Sequence, residues 1–263
     1  MTSNPTIGLA GVVAGRTALS TVGKEGCGLT YRGYSIEDLA ERAGFEEVAW
    51  LLLRGELPTA TQLAEYRRRL QSLRELPAAL KAVLEQLPDT AHPMDVLRTG
   101  CSALGCLEPE TATTGKFDVV DRLLATFPSM LAYWHWFQTK TLRIETSSEE
   151  DSIAGHFLHL LHGQRPSATH RQALDASLIL YAEHEFNAST FTARVVTSTL
   201  SDFYSAITGA IGTLRGPLHG GANEAAFDLI NQYSTPDDAE RGVMDLLARK
   251  AKIMGFGHRV YRD

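Results

Sequence analysis

The 263-residue chain contains 44% hydrophobic and 21% charged residues, the composition of an ordinary globular protein with a sizeable core. Its formal net charge of −6 argues against a general binder of nucleic acid or of anionic membranes, although a local basic pocket for an anionic substrate is compatible with it. No apolar run reaches the ~18 residues of a transmembrane helix, and the first residues do not have the pattern of a signal peptide.

The cysteines are odd in number and lack metal-ligand spacing: Cys27, Cys101 and Cys106. Such cysteines are typical of reduced thiols in the cytoplasm. We therefore expect a cytoplasmic protein. From its net charge and the lack of a membrane segment, we expect neither a membrane nor nucleic acid among its partners.

Residues 17–34 are rich in Thr, Val, Tyr and Gly, and predict short strands or a hairpin. The pattern after them is helical. Ser35 and Asp38 indicate a capping box, and Gly55 is placed to end an apolar helix. Apolar residues then recur on one helix face in two stretches: Leu63, Tyr66, Leu70 and Leu73, then Met94, Leu97, Cys101 and Leu104.

Helical patterns continue through the second half of the chain. They cover 118–138, 151–162 and a long run at 171–213, while the polar stretch at 146–151 predicts a surface loop. Strands and helices do not alternate, and no repeat is present. The sequence therefore predicts an all-α fold with a minor β element near the N-terminus.

A last helix is predicted to begin at Thr235-Pro236-Asp237-Asp238, where an N-cap, a proline and two acids coincide, and to extend to about Ile253. Before it, Gly209, Gly212 and Gly216 follow one another at intervals of three or four residues. This spacing predicts close helix packing, either inside one subunit or across the interface of a homodimer.

Two histidines are framed by glycines. His219 stands in Gly216-Pro217-Leu218-His219-Gly220-Gly221, and His258 stands in Met254-Gly255-Phe256-Gly257-His258. Glycine lets the backbone take unusual angles and lets other groups approach closely. Since a core histidine needs no such surroundings, both are candidate catalytic residues.

A third histidine, His184, is flanked by Glu183 and Glu185 and followed by the polar stretch 187–190 in an otherwise apolar helical region. Buried polar residues need partners, so the cluster indicates either a satisfied internal network or a substrate pocket. The two glycine-framed histidines downstream favour the pocket.

Neither grouping of histidines predicts a metal site. His184, His219 and His258 lack the spacing of a zinc site. A second group follows steps of three along a helix, so its imidazoles fan out and do not close on one ion: His156, His159 and His162. These three are expected to line a packed helix.

Neutral histidines around a small ligand can donate hydrogen bonds to carbonyl oxygens on which negative charge develops. A thioester that is enolised needs one such donor, and a ketone that becomes an alkoxide needs a second. The reaction also needs a base for the α-proton, which the histidine segments do not supply.

These segments resemble those of the citrate synthase family, and within it the bacterial 2-methylcitrate synthase branch. The resemblance implies an acyltransferase that condenses propionyl-CoA with oxaloacetate and water to give 2-methylcitrate and CoA; a citrate synthase using acetyl-CoA is the alternative. The matching segments extend through nearly the whole chain: 17–24, 31–34, 92–96, 151–159, 183–194, 216–224 and 255–261.

The resemblance implies a role for each histidine. His219 would stabilise the enol of the acyl-CoA, His258 would polarise and protonate the oxaloacetate carbonyl, and His184 would bind oxaloacetate. Acyl-CoA is then a co-substrate, with no permanently bound cofactor and no metal. Coenzyme A contacts are implied for five consecutive residues: Lys252, Ile253, Met254, Gly255 and Phe256.

The resemblance also implies a homodimer and two domains. Residues 1–218 would form most of a large helical domain, and 219–263 the beginning of a small one. The proton-abstracting aspartate and the substrate arginines of the family lie downstream of His258. We therefore expect a truncated chain that is inactive by itself; a non-catalytic helical dimer fragment is the remaining alternative.

Overall fold

The computed structural model describes residues 13–22, 28–115 and 117–256, and the structural statements below concern these residues. They form twelve helices and three short strands, which confirms the predicted all-α fold with a minor β element. In chain order the elements are β1 (Ser20–Thr21), β2 (Thr30–Tyr31), β3 (Tyr34–Ser35), α1 (Ile36–Arg42), α2 (Phe45–Arg54), α3 (Ala60–Ser72), α4 (Ala78–Glu85), α5 (Pro93–Leu107), α6 (Asp118–Lys140), α7 (Ile153–His162), α8 (Ala168–Leu180), α9 (Ala188–Ser198), α10 (Phe203–Leu214), α11 (Gly221–Asn231) and α12 (Pro236–Ala248). No described helix is long and apolar enough to cross a membrane.

The strands form one antiparallel sheet in the order β1-β2-β3. Its register pairs β1 with β2 residue by residue: Ser20 with Tyr31, and Thr21 with Thr30. The main apolar core lies between α4, α5, α6 and α10, where Leu84, Leu104 and Met130 are fully buried. A second cluster joins the sheet to α1, α2 and α8 through Tyr31 and Ile179. The sheet therefore lies beside the end of α8, just before the His184 segment.

The predicted single helical run at 171–213 is wrong, because this part of the chain forms α8, α9 and α10. The side chains of Asn187 and Asp202 each accept a backbone N–H three residues ahead, at 2.9 Å, and so cap the starts of α9 and α10. The segment 181–187 between α8 and α9 contains His184. This histidine therefore lies in a connection and not in a helix.

Most other helix boundaries agree with the prediction. Ser35 caps α1, Gly55 ends α2 with a φ of 99°, and Thr235 caps α12. The end of α12 is the exception, since it falls at Ala248, several residues earlier than predicted. Lys250 takes a φ of 54°, which a right-handed helix does not accommodate.

The polar stretch at 146–151 is not the simple surface loop that was predicted. Thr146 and Glu150 are buried, and the guanidinium of Arg74, only 1% exposed, donates to the carbonyl oxygens of Ser148 and Glu150 at 2.9 and 2.6 Å. A buried cation is strongly unfavourable without such acceptors. The loop therefore supplies the acceptors that let Arg74 be buried after α3.

The glycines of α10 pack closely against helices of the same chain. A Cβ at Gly209 would lie 3.5 Å from side chains of α9, and one at Gly212 would lie 3.5 Å from Arg98 of α5. A closer approach, unmarked in the sequence pattern, occurs at Gly105, where a Cβ would lie 2.7 Å from that of Tyr204. The crossing of α5 and α10 therefore depends on Gly105.

We expect Gly105→Ala and Gly209→Ala to change the free energy of unfolding in different directions. Alanine is favoured over glycine inside a helix by about 1 kcal/mol. At position 105 the added methyl overlaps Tyr204, so a net loss of about 1–3 kcal/mol is expected. At position 209 the methyl makes an ordinary contact, so stability is unchanged or higher. Urea denaturation measures the free energy of unfolding of both variants. Equal effects of the two substitutions would contradict the close approach of Gly105 to Tyr204.

Candidate functional site

His219 lies between α10 and α11, and its ring contacts the first turn of α9. Its Nε2 atom is 2.9 Å from Ser189 Oγ and 3.3 Å from the backbone nitrogen of Ser189. Ser189 is the second residue of α9, so its N–H has no partner within the helix. The imidazole of His219 supplies that partner.

The hydrogen bond from the Ser189 N–H, unlike the contact with Ser189 Oγ, favours one tautomer of the His219 ring. A backbone N–H can only donate, so Nε2 accepts and the neutral ring carries its hydrogen on Nδ1. Burial, and then electrostatic repulsion from His184, lower the pKa of His219 below the ordinary value of 6.5. His219 is therefore neutral at pH 7, with an Nδ1–H available to donate.

His184 is linked to His219 electrostatically, because it is the second cause of the lowered pKa of His219. His184 is half-buried in the segment 181–187. The flanking carboxylates of Glu183 and Glu185 each accept a hydrogen bond from the N-terminal strand region, at 3.0 and 3.2 Å. These two acids therefore belong to an internal network that holds the segment in place.

Two further hydrogen bonds attach the start of α11 to distant parts of the chain. Asn223 Nδ2 donates to Tyr181 Oη at 2.7 Å, and His92 Nε2 lies 3.1 Å from a carboxylate oxygen of Glu224. His92 Nδ1 accepts the N–H of Met94, so Nε2 carries the hydrogen and donates it to Glu224. The sequence does not predict the pair His92 and Glu224, because the two residues are 132 positions apart and no local pattern relates them.

The remaining site predictions fall near the C-terminal end of the described residues. The segment 252–256 follows α12, and Gly255 has a φ of 91°, which favours glycine. A Cβ at Gly255 would lie 3.1 Å from the Cβ of Ala226. The segment therefore returns to α11, the helix that begins beside His219. His258 lies outside the described residues.

The histidines of α7 form no metal-binding group, and none is found elsewhere in 13–22, 28–115 and 117–256. His156 is fully buried, with Nε2 at 3.0 Å from Ser129 Oγ and Nδ1 at 2.9 Å from Ser148 Oγ. Burial lowers the pKa of His156 to about 3, so its ring is neutral. Of the three histidines predicted to line a packed helix, His156 does so, whereas His162 at the end of α7 is exposed.

We expect an NMR titration to place the pKa of His219 below 6.5, the value for an ordinary histidine. In His184→Asn, the electrostatic repulsion from His184 is removed while burial persists, so the pKa of His219 should rise towards the ordinary value. His162→Asn, at an exposed position at the end of α7, is the control and should leave it unchanged. An identical titration of His219 in all three proteins would show that the two rings do not interact.

Comparisons with known proteins identify the family. The chain matches the profile described as "Citrate synthase, C-terminal domain" over residues 8–263. It is 62% identical to a 2-methylcitrate synthase of Shewanella oneidensis and 45% identical to a citrate synthase of Mycolicibacterium smegmatis. Each match covers 97% of this chain and 68% of the relative.

The fold is similar to that of a solved citrate synthase. The ternary complex of the Thermoplasma acidophilum enzyme with carboxymethyl coenzyme A and oxaloacetate gives a TM-score of 0.87 at 34% identity, covering 97% of this chain and 68% of that one. The chain thus spans about two thirds of the length of these relatives. From its sequence and its fold, it belongs to the citrate synthase family.

Proposed function

We propose that this chain is part of a 2-methylcitrate synthase, which joins propionyl-CoA to oxaloacetate and, with water, releases 2-methylcitrate and CoA. The observation that carries the proposal is the neutral His219, whose Nε2 is occupied by Ser189 and whose Nδ1–H can donate beside His184. The 62% identity to a relative named 2-methylcitrate synthase supports the choice of propionyl-CoA.

In this reaction His219 donates its Nδ1–H to the thioester carbonyl as an enol forms. A neutral imidazole suits this role, because negative charge grows on the oxygen while the α-proton leaves. Ser189 keeps the ring in the tautomer that can donate. The helix start of α9 therefore contributes to catalysis through an otherwise unpaired N–H.

Oxaloacetate is proposed to bind beside His184, and His258 to donate to its keto oxygen. The segment 252–256 is proposed to contact the coenzyme, since it returns to α11 close to the residue that meets the thioester. The acyl-CoA is a co-substrate, and the proposed chemistry uses neither a metal nor a redox cofactor.

We also propose a division into a large helical domain, 1–218, and the beginning of a small one, 219–263.

We further propose a homodimer. Helix α9 has no buried residue in this structure, and apolar side chains on it and just after it are exposed: Val195 by 50% and Leu200 by 95%. An exposed apolar surface of this kind is typical of a protein–protein interface. Light scattering tests the dimer, and a monomer would contradict it.

The absence of a disulfide at Cys101 and Cys106 supports a cytoplasmic location.

A citrate synthase that uses acetyl-CoA is the second candidate. It is favoured by the relative named citrate synthase, at 45% identity over 97% of the chain. The two reactions share the same enol chemistry and differ by one methyl group on the acyl chain. Their discrimination therefore depends on the shape of the acyl pocket.

Activity can be tested in a fusion of this chain to the C-terminal third of the Shewanella oneidensis relative. We expect release of free CoA thiol to be faster with propionyl-CoA than with acetyl-CoA. In the fusion, His219→Asn should lower kcat by about 100-fold or more, because one donor to the developing oxyanion is lost. His162→Asn is the control. A clear preference for acetyl-CoA would instead support the citrate synthase assignment.

The 263-residue polypeptide by itself should release CoA at least about 100-fold more slowly than the fusion. Its histidines can stabilise an enol, but the base that forms the enol is expected downstream of His258. Equal rates for the polypeptide and the fusion would show that the base lies within these residues. A fusion that is also inactive would favour a non-catalytic helical dimer.

A further inference from the structure

The small N-terminal sheet contacts the His184 segment on both sides of the imidazole. Ser20 on β1 is only 5% exposed. Its hydroxyl donates to Glu183 Oε1 at 3.0 Å and accepts the backbone N–H of Glu185 at 3.2 Å. A single side chain is thus bonded to the residue before and to the residue after His184.

Tyr31 on β2 adds a second point of attachment on the same face of the sheet. It is directly opposite Ser20 in the β1–β2 register, and opposite residues of paired strands share a face. Its buried hydroxyl donates to the Ile179 carbonyl at 3.0 Å and accepts the N–H of Glu183 at 3.2 Å. The backbone is therefore bonded both at the end of α8 and next to His184.

The backbone at Glu185 indicates that these contacts impose a conformation on the segment. Glu185 has a φ of 52°, in the left-handed region that residues other than glycine adopt infrequently. Such a conformation persists where the surroundings hold it. Here the N–H of Glu185 bonds to Ser20, and its carboxylate accepts the N–H of Val22 at 3.2 Å.

The opposite face of the same strand pair provides an internal comparison. Thr21 and Thr30 are paired in the register, and their hydroxyl oxygens lie 2.6 Å apart. This hydrogen bond joins β1 to β2 without reaching the segment 181–187. The sheet thus carries two polar pairs. Ser20 and Tyr31 bond to the His184 segment, whereas the bond between Thr21 and Thr30 joins the two strands.

We propose that Ser20 and Tyr31 are positioning residues for His184. By bonding the backbone on both sides of the imidazole, the pair sets where His184 stands relative to His219. The sheet is then a part of the substrate site, although neither residue belongs to the predicted catalytic set. The identity of the substrate, oxaloacetate, rests on the proposed function, whereas the attachment of the segment does not.

The attachment can be tested in this chain by comparing Ser20→Ala with Thr21→Val. In Ser20→Ala we expect the backbone amides of Glu183 and Glu185 to exchange with solvent about 10-fold faster, and the ring resonances of His184 to shift. Ser20→Thr retains the hydroxyl and should restore both. Thr21→Val removes the other hydroxyl pair and should change neither. The same exchange rates and ring resonances in Ser20→Ala and Thr21→Val would overturn the proposal.

Ligand binding provides a second measurement, with oxaloacetate added to the fusion protein, which includes the substrate arginines expected downstream of His258, while the His184 ring resonances are followed. Ser20→Ala should weaken oxaloacetate binding about 10-fold and leave propionyl-CoA binding unchanged, with Thr21→Val again as the control. An equal loss of affinity for both ligands would contradict a specific effect on His184. Absence of oxaloacetate binding by the unmodified fusion would count against the proposed function, and the exchange measurement would still decide the attachment.

Discussion

The hydrogen bond from the Ser189 backbone N–H to Nε2 of His219 is the interaction on which the candidate site depends. It follows from helix geometry, because the first N–H groups of a helix have no partner within it. Asn187 caps α9 and accepts the N–H of Thr190, which leaves the N–H of Ser189 to the imidazole. One unpaired N–H at a helix start thus favours one tautomer of His219, which lies in the connection between α10 and α11.

Burial and charge add to this constraint. The half-buried ring of His219 resists protonation, and electrostatic repulsion from His184 lowers the pKa of His219 further. Both effects favour the neutral imidazole, which is the form that can donate to an enol oxygen and still accept from Ser189. The local electrostatics and the hydrogen-bond geometry therefore favour the same protonation state.

His184 lies in the connection between α8 and α9, and His219 lies in the connection between α10 and α11. Hydrogen bonds from distant elements hold each connection. The N-terminal sheet bonds the segment that contains His184, while Tyr181 and His92 bond the start of α11 just after His219. A connection has few internal hydrogen bonds, so its conformation depends on such external partners. Precise placement of the two rings is therefore a property of the whole helical assembly.

The sequence by itself determined the features that depend on neighbouring residues. The helical class, the caps at Ser35 and Thr235, the end of α2 at Gly55 and the three histidine segments all come from local patterns of residue type. These patterns were also sufficient to indicate the family. The two breaks in the run 171–213, at the caps Asn187 and Asp202, do not follow from this pattern, because apolar residues with helical spacing lie on both sides of each cap.

Only the tertiary structure decided which of these segments meet. Ser189 and His219 are 30 residues apart, His92 and Glu224 are 132 apart, and Ser20 and Glu185 are 165 apart. Likewise, packing alone places Gly105 against Tyr204 and places Arg74 against the polar loop at 146–151. Such pairings arise when helices pack around a common core, and a linear pattern of residue types does not specify which distant groups that packing brings together.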